Sequence, residues 1–167
     1  ALVVNRLFWG FGYNVPEDDL YFFRLEDLGV AAGGELTRAD VGAILALVAP
    51  PVDGRYRCTV SRFIPGKILG PFAEHGTRPG DGNDRVPHED RRVLRALRAF
   101  CAFTNHSDIR PDNSLDVYAG APGEGHVVHY LLDFGEAFGG HGAEHARPWD
   151  GYEPALGFTR AARNLVT

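Results

Sequence analysis

Apolar and polar positions change period several times along the chain, and each change marks a predicted element. Leu2, Val3, Leu7, Phe8 and Phe11 recur at helical spacing and predict a helix over 2–11. Gly12 and the run Asn14-Val15-Pro16 end it, because proline disfavours helix in the residue before it. An aromatic-rich stretch predicts a strand over 20–25. Thr37 with Asp40 has the form of a capping box, so a helix is expected from there to about Val48, before Pro50-Pro51. Alternation over 56–64 predicts a second strand, and glycines and prolines over 65–86 predict a long loop.

The next helix is expected to start with Asp84 as its cap, Pro87 in its first turn, and Glu89 and Asp90 near its positive end, and to run to about Phe103. Val93, Leu94, Leu97, Phe100 and Cys101 form its apolar stripe, while Arg91, Arg92, Arg95 and Arg98 largely face away as a solvated surface. Two short strands follow, over 115–118 and 126–132, and the small residues between them predict a hairpin. The remainder is glycine- and histidine-rich, with weak helical periodicity over 159–165. The fold class is therefore α+β.

Composition narrows this only in places. With 167 residues the chain is expected to build one domain with a real core. A net charge of −5 argues against a general nucleic-acid binder, whose footprint is basic. No apolar run is long enough to span a bilayer. The basic residues are nearly all arginine, and Lys67 is the one lysine. A sequence that begins at Ala1 and contains no methionine is expected to be a processed form or a piece of a longer chain. Cys101 lies in the apolar stripe, so a buried free thiol is expected there; whether it pairs with Cys58 is left open by spacing alone.

Chemistry concentrates after the long helix. The loop reads His106-Ser107-Asp108-Ile109-Arg110-Pro111-Asp112-Asn113, and the hairpin ends in Leu132-Asp133-Phe134-Gly135. Protein kinases carry a His-x-Asp whose Asp is followed, five residues on, by Asn, and then a metal-binding Asp-Phe-Gly after a short hairpin. Treating each residue type as about one in twenty, both matches arise together by chance on the order of once in ten thousand. The pattern is signal. Phosphoryl transfer needs charge neutralised on the migrating group and a nucleophile held in line. Asp133 and Asn113 supply hard oxygen ligands suited to Mg²⁺ or Mn²⁺ bridging the phosphates of ATP. Asp108 is the candidate base for the acceptor hydroxyl, Arg110 steadies the transferring phosphate, and Phe134 and Gly135 complete the nucleotide-binding turn. The bland alternative makes Asp108, Asn113 and Asp133 turn caps and His106 a structural histidine bonding loop backbone.

The runs Gly12-Tyr13-Asn14-Val15-Pro16-Glu17, Gly76-Thr77-Arg78-Pro79, Asn83-Asp84, Pro87-His88-Glu89 and His129-Tyr130-Leu131-Leu132-Asp133-Phe134-Gly135 resemble an uncharacterised bacterial family. Its catalytic lobe is similar to those of atypical kinases such as the HipA toxin kinases and phosphoinositide kinases. The resemblance spans roughly 2–139 and implies a C-terminal kinase-like lobe over 63–167, with 1–62 the remnant of an N-terminal lobe and hinge. It also implies an ATP- and Mg²⁺-dependent phosphotransferase, and exported family members imply an extracytoplasmic location. The chain departs from the pattern at the lysine that anchors ATP phosphates. Lys67 falls after the expected hinge strand, in the long loop, and no glycine-rich covering loop precedes it. The alternative reading is therefore a pseudokinase, or a structural or accessory subunit of a larger assembly.

Two further patterns were weighed. His141-Gly142-Ala143-Glu144-His145 matches the inverted zinc-peptidase motif, which needs both histidines on one helix face; Gly139, Gly140 and Gly142 argue against a helix. His126 and His129 nearby add only adventitious metal binding. Arg78 and Asp81 are candidate functional residues of the long loop, and Trp149 and Tyr152 read as packing residues.

Overall fold

The computed structural model describes residues 1–31, 33–73, 75–106, 108–141 and 144–145. The order is α1 (Leu2–Gly10), β1 (Asp18–Phe23), α2 (Arg38–Leu45), β2 (Tyr56–Ser61), β3 (Lys67–Gly70), α3 (Arg92–Thr104), β4 (Ser114–Ala119) and β5 (His126–Leu131). Two-residue strands β6 (Gly140–His141) and β7 (Glu144–His145) follow. All strand pairings among these are antiparallel, and the class is α+β. The chain divides into two compact units: Ala1–Glu17 with Arg62 onward, and Asp18–Ser61.

In the larger unit, α1 and α3 each offer an i, i+4 pair to one core: Val4 with Phe8, and Leu97 with Cys101. Ile109 and Phe134 complete it, with Phe11, Leu94, Phe100 and Leu131 packed at its margin. The stripe on α1 is thus shifted from the expected one, since Val4 and Asn5 are buried and Val3 is exposed. Asn5 is tolerated inside because its side-chain amide donates to the Pro16 carbonyl at 3.0 Å. Phe11 stacks on Phe100 with centroids 4.0 Å apart, and the Tyr13 hydroxyl donates to the Val93 carbonyl at 2.7 Å. Burial pushes that phenol up to about 12.

The order within the three-stranded sheet is β3-β4-β5. The hairpin β4–β5 stands close to expectation, with Asp116 directly opposite His129. β3 does not: three residues of the expected loop pair with β4, Lys67 opposite Tyr118, with an irregularity between Ile68 and Gly70. Gly66 precedes it at φ +122°, where a Cβ would come within 2.6 Å of Val117. The segment after α1 reaches β5 through a bond from the Leu131 amide to the Asn14 carbonyl, 2.9 Å.

α3 also begins differently from its sequence signals. Residues His88–Asp90 form a 3₁₀ turn, and the helix proper starts at Arg92, with no side-chain cap. Asp84 is not its cap, because its carboxylate is engaged elsewhere. Val93, expected in the stripe, is 53% exposed. At the other end Asn105 takes the left-handed conformation, φ +45°, and the His106 amide bonds back to the Cys101 carbonyl at 2.9 Å. This is the termination glycine usually makes, here supplied by asparagine. Cys101 is buried, and neither it nor Cys58 is in a disulfide.

In the smaller unit β1 and β2 pair from Asp18↔Ser61 to Phe23↔Tyr56. The expected strands are thus Asp18–Phe23 and Tyr56–Ser61, each shifted or shortened by a few residues. Thr37 and Asp40 form the expected capping box on α2, and hydrogen bonds from Thr37 hold the Asp40 carboxyl below its ordinary value. Leu20, Tyr21 and Phe22 are exposed. His141 pairs with Glu144 across β6–β7, so this histidine motif is extended rather than helical. Gly142, Ala143, Trp149, Tyr152 and the helix expected over 159–165 lie outside the described residues.

Phe8 is fully buried and touches both Phe134 and His106. Phe8→Ala is expected to cost about 3–5 kcal/mol in urea unfolding, from lost transfer energy plus the cavity left behind. A loss below about 1 kcal/mol would show that α1 is not part of the same cooperative core.

Candidate functional site

The end of α3 delivers His106, and the loop then runs through Ile109, buried in the core, to a 3₁₀ turn over Pro111–Asn113 and into β4. Anchoring Ile109 leaves its neighbours Asp108 and Arg110 turned to the other side of an extended stretch. The Asp108 carboxylate is held twice. Arg110 approaches Oδ1 through Nε at 2.5 Å and Oδ2 through Nη2 at 3.1 Å, a forked pair. The Asn113 amide donates to Asp108 Oδ2 at 2.8 Å and to its carbonyl at 2.9 Å. The hydrogen bond to Asp108 raises the already high pKa of Arg110, with Asp108, Asp112 and Glu136 adding charge of the same sense.

The second half of the site is tied to the first through the backbone. The Leu132 amide donates to the Asn113 carbonyl at 2.8 Å. Asp133 then adopts φ +44°, and its Oδ1 accepts the Gly135 amide at 2.8 Å. A Cβ at Gly135 would stand 3.0 Å from that oxygen, which accounts for glycine there. Asp133 faces solvent while Phe134 is 2% exposed, packed on Phe8 with centroids 5.2 Å apart and on His106 at 5.5 Å. Phe134 therefore acts on the site by seating the turn.

His106 is 2% exposed, and its Nδ1 meets no hydrogen-bond partner among the described residues. It is a ring in an aromatic stack, not a ring bonding loop backbone through that atom. Burial lowers its pKa, against the opposing charges of Asp108, Asp133 and Glu136. The structure brings Asp108, Arg110 and Asn113 together by direct bonds, and Asp133 joins them through the Leu132–Asn113 link.

For a divalent cation the donor set is oxygen only. Asn113 spends its amide nitrogen on the loop, and neither its Oδ1 nor Asp133 Oδ2 meets a protein donor among the described residues. Two such oxygens fit Mg²⁺, which keeps waters and substrate phosphates in its shell and rarely uses an all-protein cage. Among the described residues no group of three or more His, Cys, Asp or Glu side chains converges as a cage.

A second cluster was missed in the sequence. Asp116, 1% exposed on β4, is bonded by the Arg78 guanidinium on Oδ2 and by His129 Nδ1 on Oδ1. Asp84 accepts the Arg78 amide at 2.5 Å and His88 Nε2 at 2.7 Å, and pairs with Arg91 through its other oxygen. His88 Nδ1 lies 2.5 Å from the Ala73 carbonyl, so both ring nitrogens face protein oxygens. Phe72 stacks on His88 at 4.5 Å and meets His129 edge-on at 4.7 Å. Burial pushes both carboxyls up, but hydrogen bonds and cationic neighbours overcome it and hold each below the ordinary range. The helix surface from Arg91 to Arg98 is accordingly not all solvated: Arg91 pairs with Asp84 and Arg95 donates to the Asp90 carbonyl. Two signals were available: a charged residue inside an apolar strand, and the Asp84–His88–Arg91 spacing before a helix.

Compared with known proteins, the chain matches no family model, no curated protein and no solved structure.

Removing one partner of a buried ionic network strands the others, so Asp116→Ala is expected to cost about 3–5 kcal/mol in urea unfolding. His106 predicts a pH effect of defined sign. Its folded pKa lies below the unfolded value of about 6.5, so its contribution is full above that pH. As pH falls the unfolded chain takes the proton first, and stability declines towards the folded pKa. The urea midpoint of the native chain should therefore drop faster below about pH 6.5 than that of His106→Leu. Parallel curves would show that the ring is not held neutral.

Proposed function

We propose that the chain is the catalytic lobe of an atypical kinase-like phosphotransferase that uses ATP with Mg²⁺ or Mn²⁺. The observation that carries this reading is the 2.8 Å backbone bond from Leu132 to Asn113. It clamps a loop bearing a pinned carboxylate to a turn bearing an exposed one, and each half keeps an oxygen without a protein donor among the described residues. When bound, the metal neutralises charge on the phosphates. Asn113 Oδ1 and the Asp133 carboxylate are the groups that would hold it. Asp108 orients the acceptor hydroxyl and takes its proton as the acceptor oxygen bonds to the γ-phosphorus and the bond to the β-phosphate oxygen breaks. Arg110 fixes Asp108 and brings a positive charge beside the migrating group. Phe134 in its apolar seat fixes the direction of Asp133.

A second reading, an accessory subunit whose site is idle, is favoured by one specific observation. Lys67, the chain's only lysine, stands exposed in the first position of β3 opposite Tyr118. It is part of the sheet that carries the hairpin, whereas kinase-like sites anchor the phosphates with a lysine of their own.

Calorimetric titration with ATP, with and without Mg²⁺, separates these readings. Asp133→Asn removes the charge and tolerates the left-handed backbone. Metal-dependent ATP binding is expected, weakened at least about tenfold by Asp133→Asn. No metal-dependent binding, or equal binding by the variant, would overturn the phosphotransfer reading. Binding without phosphate turnover would select the idle-site reading.

A further inference from the structure

Beside the charge network lie two adjoining cavities that share Arg91 and His129 in their walls. One is apolar, about 220 Å³, and is walled chiefly by Phe72, Leu94, Leu97, Ile109 and Leu131. The other, about 160 Å³, is polar and is lined by Arg78, Arg91, His129, Asn83, Asp81 and Asp84. We propose that together they form a binding site for a small apolar monocarboxylic acid, with its hydrocarbon in the first chamber and its carboxylate in the second.

Size sets the body of the ligand. An apolar cavity of about 150 Å³ accommodates benzene, so about 220 Å³ takes a phenyl ring and a short methylene link. Apolar walls with a few fixed polar groups are the usual form of a small-molecule site.

Donor geometry sets the head. Arg78 spends Nη2 on Asp116, Arg91 spends Nη2 on Asp84, and His129 spends Nδ1 on Asp116. Arg78 Nη1 and Arg91 Nη1 have no protein acceptor among the described residues, His129 Nε2 has no protein partner there, and all three side chains line the polar chamber. Their carboxylate partners hold them in place in advance, so a ligand does not have to order them. The imidazole is fixed with Nδ1 towards Asp116, which leaves Nε2 for the ligand.

Charge sets the valence. Arg78 and Arg91 are already set against three carboxylates, Asp81, Asp84 and Asp116. A monoanion is then met by the unused Nη1 donors of Arg78 and Arg91, whose side chains line the polar chamber. A phosphate dianion would leave excess negative charge in a partly buried chamber, which is costly. The proposal does not rest on the phosphotransfer reading, because its test is binding alone and its variants touch neither Asp133 nor Asn113.

The probes are 3-phenylpropanoate, its neutral amide and acetate, titrated into the full chain by calorimetry, with amide shifts followed at Leu97 and Val127. The acid is expected to bind saturably and to move both signals, with the amide and acetate each weaker by at least about tenfold. His129→Gln removes the ionisable head partner. Asn83→Asp places a negative charge at an exposed loop position lining the polar chamber, where it should not disturb the fold. Both variants should weaken the acid about tenfold and leave the amide unchanged. Equal binding of acid and amide, no saturable binding of the acid, or insensitivity of the acid to Asn83→Asp would each overturn the proposal.

Discussion

Burial of Phe134 against Phe8 and His106 is the constraint on which the rest of the larger unit depends. The three rings come from α1, from the second residue after α3, and from the turn after β5. Burying three rings of this size removes far more apolar surface from water than any single hydrogen bond of the site contributes. Once Phe134 is inside, Asp133 has to turn outward, and its positive φ follows from the short path between Leu132, bonded to Asn113, and Phe134. An exposed carboxylate in a sparsely populated backbone region is thus held by an apolar contact one residue away.

The ionic network solves a different problem. Residues 71–91 contain a single 3₁₀ turn, and a segment of that kind gains little from backbone ladders. Arg78, Asp84, His88 and Arg91 fasten it to Asp116 and His129, a pair that the β4–β5 register places directly opposite. Desolvating so many charges is expensive, and such networks stabilise only when nearly every lone pair and proton is matched. Most are matched here, and the donors left over are gathered in one chamber.

Which features were legible in the sequence follows from the range of the interactions that make them. The Thr37–Asp40 box, the Asn14-Val15-Pro16 stop and the β4–β5 hairpin are set by residues within a few positions of one another, and all formed as read. β3 was read as loop because Lys67–Gly70 is only four residues long and its pairing partner lies about fifty positions away. Asp84 carried the local signal of a helix cap, yet the Arg78 amide, His88 Nε2 and the Arg91 guanidinium claim its oxygens. Val3 and Val93, read into the apolar stripes, are exposed because periodicity gives a face, and only the neighbours decide where that face ends. The spacing of Asp108, Arg110 and Asn113 was readable because one short loop brings them together. The Asp116–His129 pair was not, since it needs the strand register and an arginine from a separate segment.

The two polar centres share one structural member. Ile109 is buried in the core, forms part of the apolar cavity wall, and lies between Asp108 and Arg110 in sequence. Arg110 itself lines that cavity while its guanidinium grips Asp108. A molecule filling the cavity would therefore press on the residue that anchors the loop and on the side chain that orients its carboxylate. Packed interiors yield in discrete steps rather than continuously, so such a contact selects among loop arrangements instead of deforming one. Coupling of this kind needs no path across the molecule, because the cavity wall and the loop are the same few residues.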